Sequence, residues 1–175
     1  MKLSWLLLLG LCACSSFSPM AMVRLAALSP LEVDPADIAV ALSLPDGVTL
    51  PAGAAAIEMS AEQTELRKTS NERYVLGARP DTNGGTVYQL AKDDFQRFKQ
   101  QQALISSWEE ADSDATHGSF SVSLTGCRTE VGPQPDGVVT VSMRTASDGT
   151  FFPVIRNLPW SEVLSETNLS GLPTC

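Results

Sequence analysis

Strict alternation of apolar and polar side chains constrains this chain more than any other feature. A period of two fits a β-strand with one buried face and fits no helix. Ser119-Phe120-Ser121-Val122-Ser123-Leu124-Thr125 is the cleanest case, with Phe120, Val122 and Leu124 assigned to the buried face. Ile38, Val40, Leu42 and Leu44 repeat the pattern and stop at Pro45-Asp46-Gly47, and Val139, Val141 and Met143 repeat it again. Asp148-Gly149 has the composition of a tight hairpin turn leading into a strand over residues 151–155. Shorter stretches of similar character cover residues 23–27, 56–60, 73–76 and 87–90, the last preceded by Thr82-Asn83-Gly84-Gly85.

One segment breaks this rule. Residues 92–111 contain no Gly or Pro, and Phe95, Phe98, Ile105 and Trp108 recur at helical intervals. Arg97 and Gln100 to Gln102 are assigned to the polar side, so the segment reads as an amphipathic helix covering the core. Asp93 and Asp94 suit its first turn, where negative charge meets the positive end of the helix dipole. A further short helical turn is expected over residues 157–164, with Pro159 near its start. No internal repeat or low-complexity run is present. These elements predict a mainly β chain: one antiparallel β-sandwich-like domain, residues 21–175, with one long amphipathic helix. An α+β single sheet carrying the helix on one face is the alternative. The pattern argues against parallel α/β, because strands and helices do not alternate regularly.

Cysteine placement adds a covalent constraint. Beyond the N-terminal segment only Cys127 and Cys175 remain, and in an oxidising compartment two such thiols pair. The bridge would close a loop of roughly fifty residues, which chain entropy makes worth about 4 kcal/mol. It would also pin a polar tail, residues 165–174, that lacks periodicity of its own. Neither cysteine sits in a C-x-x-C pair, which argues against redox catalysis.

The compartment is read from the N-terminus. Met1-Lys2 is followed by an apolar run, residues 3–11, broken only by Ser4 and Gly10. Such a run is short of the ~20 residues that span a membrane and matches the hydrophobic region of a secretory signal. It ends in Leu11-Cys12-Ala13-Cys14, which resembles the lipobox of bacterial lipoproteins: an aliphatic residue, a small residue before the cut, then cysteine. That resemblance implies a signal peptide over residues 1–13, a diacylglyceryl group on the Cys14 thiol and acylation of the new amino terminus. It also implies that the membrane is a partner through the anchor, and Ser15 after the cysteine implies the outer membrane. Residues 14–20 form the lipidated tether. The six residues 15–20 span about 20 Å when extended, so the domain should sit close to its membrane.

Charge and motif content then narrow the chemistry. Twelve Lys and Arg against 20 Asp and Glu give a net charge of −8, and removal of Lys2 makes the mature chain one unit more negative. No basic footprint for nucleic acid exists. His117 is the only histidine and no nucleophile elbow is present, so a triad has no anchor. One histidine and two paired cysteines do not make a zinc set. Glu109, Glu110, Asp112 and Asp114 cluster at the predicted helix end and form a candidate cation site, although EF-hand spacing fails: Thr116 stands at position five and Ser123 at position twelve. Trp108 and Trp160 are read as core anchors rather than a binding platform. The expectation is a non-enzymatic, membrane-anchored envelope lipoprotein, without cofactor, that binds or supports another envelope component. The alternative is a small periplasmic hydrolase or ligand-binding domain using carboxylates.

Overall fold

Alternation becomes structure where each strand finds a neighbour on the face the core requires. The computed structural model describes residues 18–21, 28–82, 84–134, 136–166 and 172–175, and from 164 to 166 the backbone only. The strand expected over residues 23–27 lies outside the described residues. The elements run β1 (Ile38–Ser43), β2 (Val48–Thr49), β3 (Ala55–Gln63), β4 (Lys68–Pro80), β5 (Thr86–Leu90), a 3-10 turn (Lys92–Asp94) and helix α1 (Phe95–Ala111). They continue with β6 (Thr116–Leu124), β7 (Cys127–Arg128), β8 (Val138–Thr145), β9 (Phe152–Pro159) and helix α2 (Trp160–Glu166).

Seven strands form one curled antiparallel sheet in the order β6-β3-β4-β5-β1-β8-β9, and β2 pairs with β7 separately. The chain is therefore mainly β with one long helix, as the alternation implied. The two walls around the core come from the curl of one continuous sheet. Strand β4 makes the turn between them. Its first part pairs with β3 (Gln63↔Lys68 to Ala56↔Val75), and its last part with β5 (Leu76↔Leu90 to Pro80↔Thr86).

One apolar cluster fills the curl, drawing Ile38 and Leu42 from β1, Ile57 and Met59 from β3, Tyr74 and Leu76 from β4 and Tyr88 and Leu90 from β5. Ala39 and Val87, on the opposite face of β1 and β5, are also buried, as expected of strands central to a sheet. After β1 the chain reverses at Pro45-Asp46-Gly47. Gly47 sits at φ 88°, and a Cβ there would run into the Gly132 carbonyl, so only glycine fits that turn.

Helix α1 lies over β3 and β4 through Phe98, Gln101, Gln102, Ile105 and Trp108. Full burial of an apolar side chain of this size contributes about 1.5–3 kcal/mol. Phe98 meets Tyr74 edge-on at 5.1 Å between ring centroids. The expectation that Gln101 and Gln102 face solvent is corrected: both are buried. Gln101 accepts from the Tyr74 hydroxyl (2.8 Å) and donates to the Met59 carbonyl (2.8 Å), while Gln102 donates to the Pro30 and Val33 carbonyls, each at 2.9 Å. Burial without a partner would cost each amide a few kcal/mol, and these bonds remove that cost. Asp94 leads into the helix without capping it, and its carboxylate instead holds Arg97 at 2.9 Å. The short helix expected over residues 157–164 begins later, at Trp160, because Leu158 and Pro159 still pair with β8. Trp108 and Trp160 are core residues, 7% and 5% exposed.

Candidate functional site

The sheet ends at β6, where alternation is strongest. Along its whole length β6 pairs with β3, from Ala55↔Leu124 to Gln63↔Thr116. Among the described residues no strand lies on its other side. Gly118, Phe120 and Val122 share the core-facing side, opposite Ala61, Met59 and Ile57. His117, Ser119, Ser121 and Ser123 point the other way.

Gly118 leaves a gap in that inner row. The side chain is missing where its neighbour across the ladder is only Ala61, beneath the last turns of α1. The result is a notch of about 210 Å³ at the open edge, lined by Leu31, Met59, Ile105 and Phe120, with Glu109 beside it. An added Cβ at Gly118 would meet only the Ser60 carbonyl oxygen, at an ordinary 3.5 Å, so glycine is not required by crowding there. Phe120 and Val122 are partly buried and pack against the core from this rim.

The helix above the notch is braced to the sheet by a charged cluster. Arg97 stacks 4.1 Å over the Tyr74 ring, pairs with Glu72 and Asp94, and donates to the Arg73 carbonyl (3.2 Å). Burial pushes the Tyr74 phenol up to about 12, with Arg97 opposing and Glu72 and Asp94 adding to the rise. Lys99 binds Asp34 at 2.7 Å and holds that carboxyl below its ordinary value, tying α1 to the segment before β1.

The outer face of β6, β3 and β4 is polar and shallow. Ser60 and Ser119 share a hydrogen bond of 2.7 Å, and Ser123 donates to Glu58 at 3.3 Å. A shallow cleft there is lined by Glu58, Arg73, Asn71 and Ser119, while Glu72, opposite Met59, leaves β4 on the helix side. Each of these carboxylates faces its own arginine, Glu58 with Arg73 at 3.6 Å and Glu72 with Arg97. Neither is the isolated, desolvated carboxyl that general-acid chemistry needs.

The acidic residues singled out in the sequence separate by role. Asp112 ends α1 and accepts from the backbone N–H groups of Asp114 and Ala115, both at 3.1 Å, so it shapes the turn into β6. Glu109 borders the notch, and Glu110 and Asp114 are exposed. Among the described residues no three His, Cys, Asp or Glu side chains converge as metal ligands. His117 is an exposed residue of β6 opposite Glu62, because the ladder with β3 extends three residues further than the alternation does. Cys127 and Cys175 form a disulfide, with Cα atoms 5.1 Å apart. The tail is also paired through Arg128 N–H to the Pro173 carbonyl and Cys175 N–H to the Arg128 carbonyl. Cys14 and the signal segment lie outside the described residues.

Sequence reasoning located β6 but missed that it is an edge and that Gly118 opens a notch in it. The available signal was a glycine on the inward side of the strand, in a segment without Pro, Lys or Arg from Thr116 to Cys127. No protein-family model matches the chain, and no curated protein and no solved structure matches it.

Proposed function

We propose that this chain is a lipid-anchored protein of the bacterial envelope, outer membrane by the Ser15 criterion, whose body binds or supports another envelope component without catalysing a reaction. The observation that carries this reading is the arrangement of the sheet's two ends. At the β9 end, the Ser18 N–H donates to the Val154 carbonyl at 3.0 Å, and Ala21 is buried. Ser18 follows the lipobox cysteine by four positions. A link of that length reaches about 14 Å at most, so an acylated Cys14 would hold the β9 end at the bilayer. The edge strand β6, with no strand on its outer side among the described residues, and its apolar notch stand at the other end of the strand order. Among the described residues no helix is long and apolar enough to cross a membrane.

An edge strand of this kind suits a macromolecular partner rather than a reaction. Its surroundings supply backbone groups and apolar contact, and of the carboxylates nearby Glu58 and Glu72 face arginines while Asp112 shapes a turn. In-cell crosslinking of tagged wild type and Cys14→Ala tests the reading. Wild type should fractionate with the membrane and capture one envelope protein, and Cys14→Ala should lose the membrane and most of the capture. Wild type that stays with the membrane yet captures nothing would contradict it.

A further inference from the structure

We infer that β6 is a strand-addition site for an extended, positively charged segment of that envelope partner, with one apolar side chain seated in the notch over Gly118. The inference rests on the binding role proposed above and names its chemistry.

Three independent features meet at this edge. The first is backbone. Every second residue of an edge strand directs its N–H and C=O away from the sheet, and such groups seek partners. Nine consecutive residues of β6 form a regular ladder with β3, without a register shift. The outward groups are therefore evenly spaced, as an added strand requires.

The second is the notch. A strand laid beside β6 continues its pleat, so the added side chains on the inner side project toward the core. Beside Gly118 such a side chain meets Leu31, Ile105 and Phe120 instead of a filled row. One aliphatic residue would complete the inner layer that Gly118 leaves short.

The third is charge. Glu109 and Glu110 lie in the last turn of α1, Asp112 and Asp114 in the turn that follows it, and Glu62 lies across the ladder from His117. The last turn of α1 holds no basic residue. An incoming segment therefore gains by carrying Lys or Arg beside Thr116 and His117. A second copy of this chain answers that charge poorly. Two-fold antiparallel pairing would bring Leu124 and Thr125 of the other copy to the acidic end, and both copies carry a net charge of −8.

The test uses the full chain in detergent micelles and a labelled eight-residue peptide of alternating valine and lysine. Saturable binding is expected, at least tenfold weaker for a valine–glutamate peptide and at least tenfold weaker when every peptide amide is N-methylated. Gly118→Val supplies the decisive variant: it fills the notch without backbone strain, should melt no lower than wild type, and should bind the peptide at least tenfold more weakly. Equal binding of the N-methylated peptide, or undiminished binding by Gly118→Val, overturns strand addition at the notch. A concentration-dependent dimer that Gly118→Val abolishes assigns the edge to a second copy and also overturns it. Failed peptide binding with a persisting in-cell crosslink removes this inference alone. Intact peptide binding with no crosslink removes the envelope-partner reading alone.

Discussion

At one end of the sheet, β9 is broken by Pro153 and Pro159, pairs with β8 through two register shifts and takes a hydrogen bond from Ser18 on its open side. At the other end, β6 runs nine residues in unbroken register with no further strand beside it among the described residues, carrying no proline and no lysine or arginine. Both are edges of one sheet built by the same chain. Prolines, bulges and covering segments are the devices that keep edges from pairing with other chains. At β9 the bulge is explicit: Asn157 adopts φ 45°, tolerated by asparagine, and its N–H reaches the Thr140 hydroxyl at 3.3 Å. Since the same sheet carries these devices at one edge and, among the described residues, lacks them at the other, the β6 edge reads as a surface kept available.

This contrast depends on β6 being a stable strand, and α1 is what holds its neighbourhood in place. Phe98→Ala should therefore have the largest effect, a loss of about 3–5 kcal/mol in urea unfolding, because a fully buried ring in edge contact with Tyr74 is removed. A loss below ~1 kcal/mol would mean that the β6 side is held by something other than the helix.

Next in size is the covalent closure just past β6. Replacing Cys127 and Cys175 together by serine should cost about 2–4 kcal/mol and loosen β7 and the tail. Amide exchange within β6 should hardly change in the folded state, since its ladder to β3 does not involve the bridge. Faster exchange throughout β6 would show that the bare edge is itself maintained by the disulfide.

A third test uses alkali. The Tyr74 phenol has its pKa raised from 10.0 to about 12 in the folded chain, so folding favours the neutral form. The stabilisation this represents is complete below pH 10 and is lost as the pH rises through 12. Tyrosinate absorbance from Tyr74 should appear together with loss of helical circular dichroism, and Tyr74→Phe should remove that alkaline sensitivity. Ionisation of Tyr74 near pH 10 with the fold intact would contradict the tight seat described for α1.

The smallest expected effect falls on the edge itself. Ser121→Lys, at an exposed position, should change stability by no more than about 0.5 kcal/mol. It should nonetheless depress binding of the valine–lysine peptide, since a lysine on an edge strand is a natural block to pairing and repels a cationic segment. Unchanged binding would move the contact surface away from β6.

How legible this molecule was depends on distance along the chain. Local periodicity revealed β1, β6, β8 and α1, because each carries its buried face within a few residues. Strand β4 was visible only at residues 73–76: Glu72, Arg73 and Gly77 obscure the alternation, and its 13 residues are stabilised by two different partners. The paired residues of β2 and β7 are too few to show a period. Gln101 and Gln102 looked solvent-facing because amides usually are, and only Met59, Pro30 and Val33 from remote segments make their burial affordable. The candidate site failed for the same reason: alternation identifies a strand, but which strand ends a sheet is set by pairing across long sequence separations. The cysteine pair was readable because Cys127 and Cys175 are the two thiols outside the N-terminal segment.

Residue-resolved amide exchange on the full-length protein without added peptide tests the contrast between the edges most directly. The expected result is alternating behaviour along residues 116–124, every second amide slow through pairing with β3 and the others exchanging freely. The Ser18 amide, bonded to β9, should be protected. Uniformly slow exchange along residues 116–124 would show that β6 is already covered, and a freely exchanging Ser18 would show that the β9 end is not closed as described.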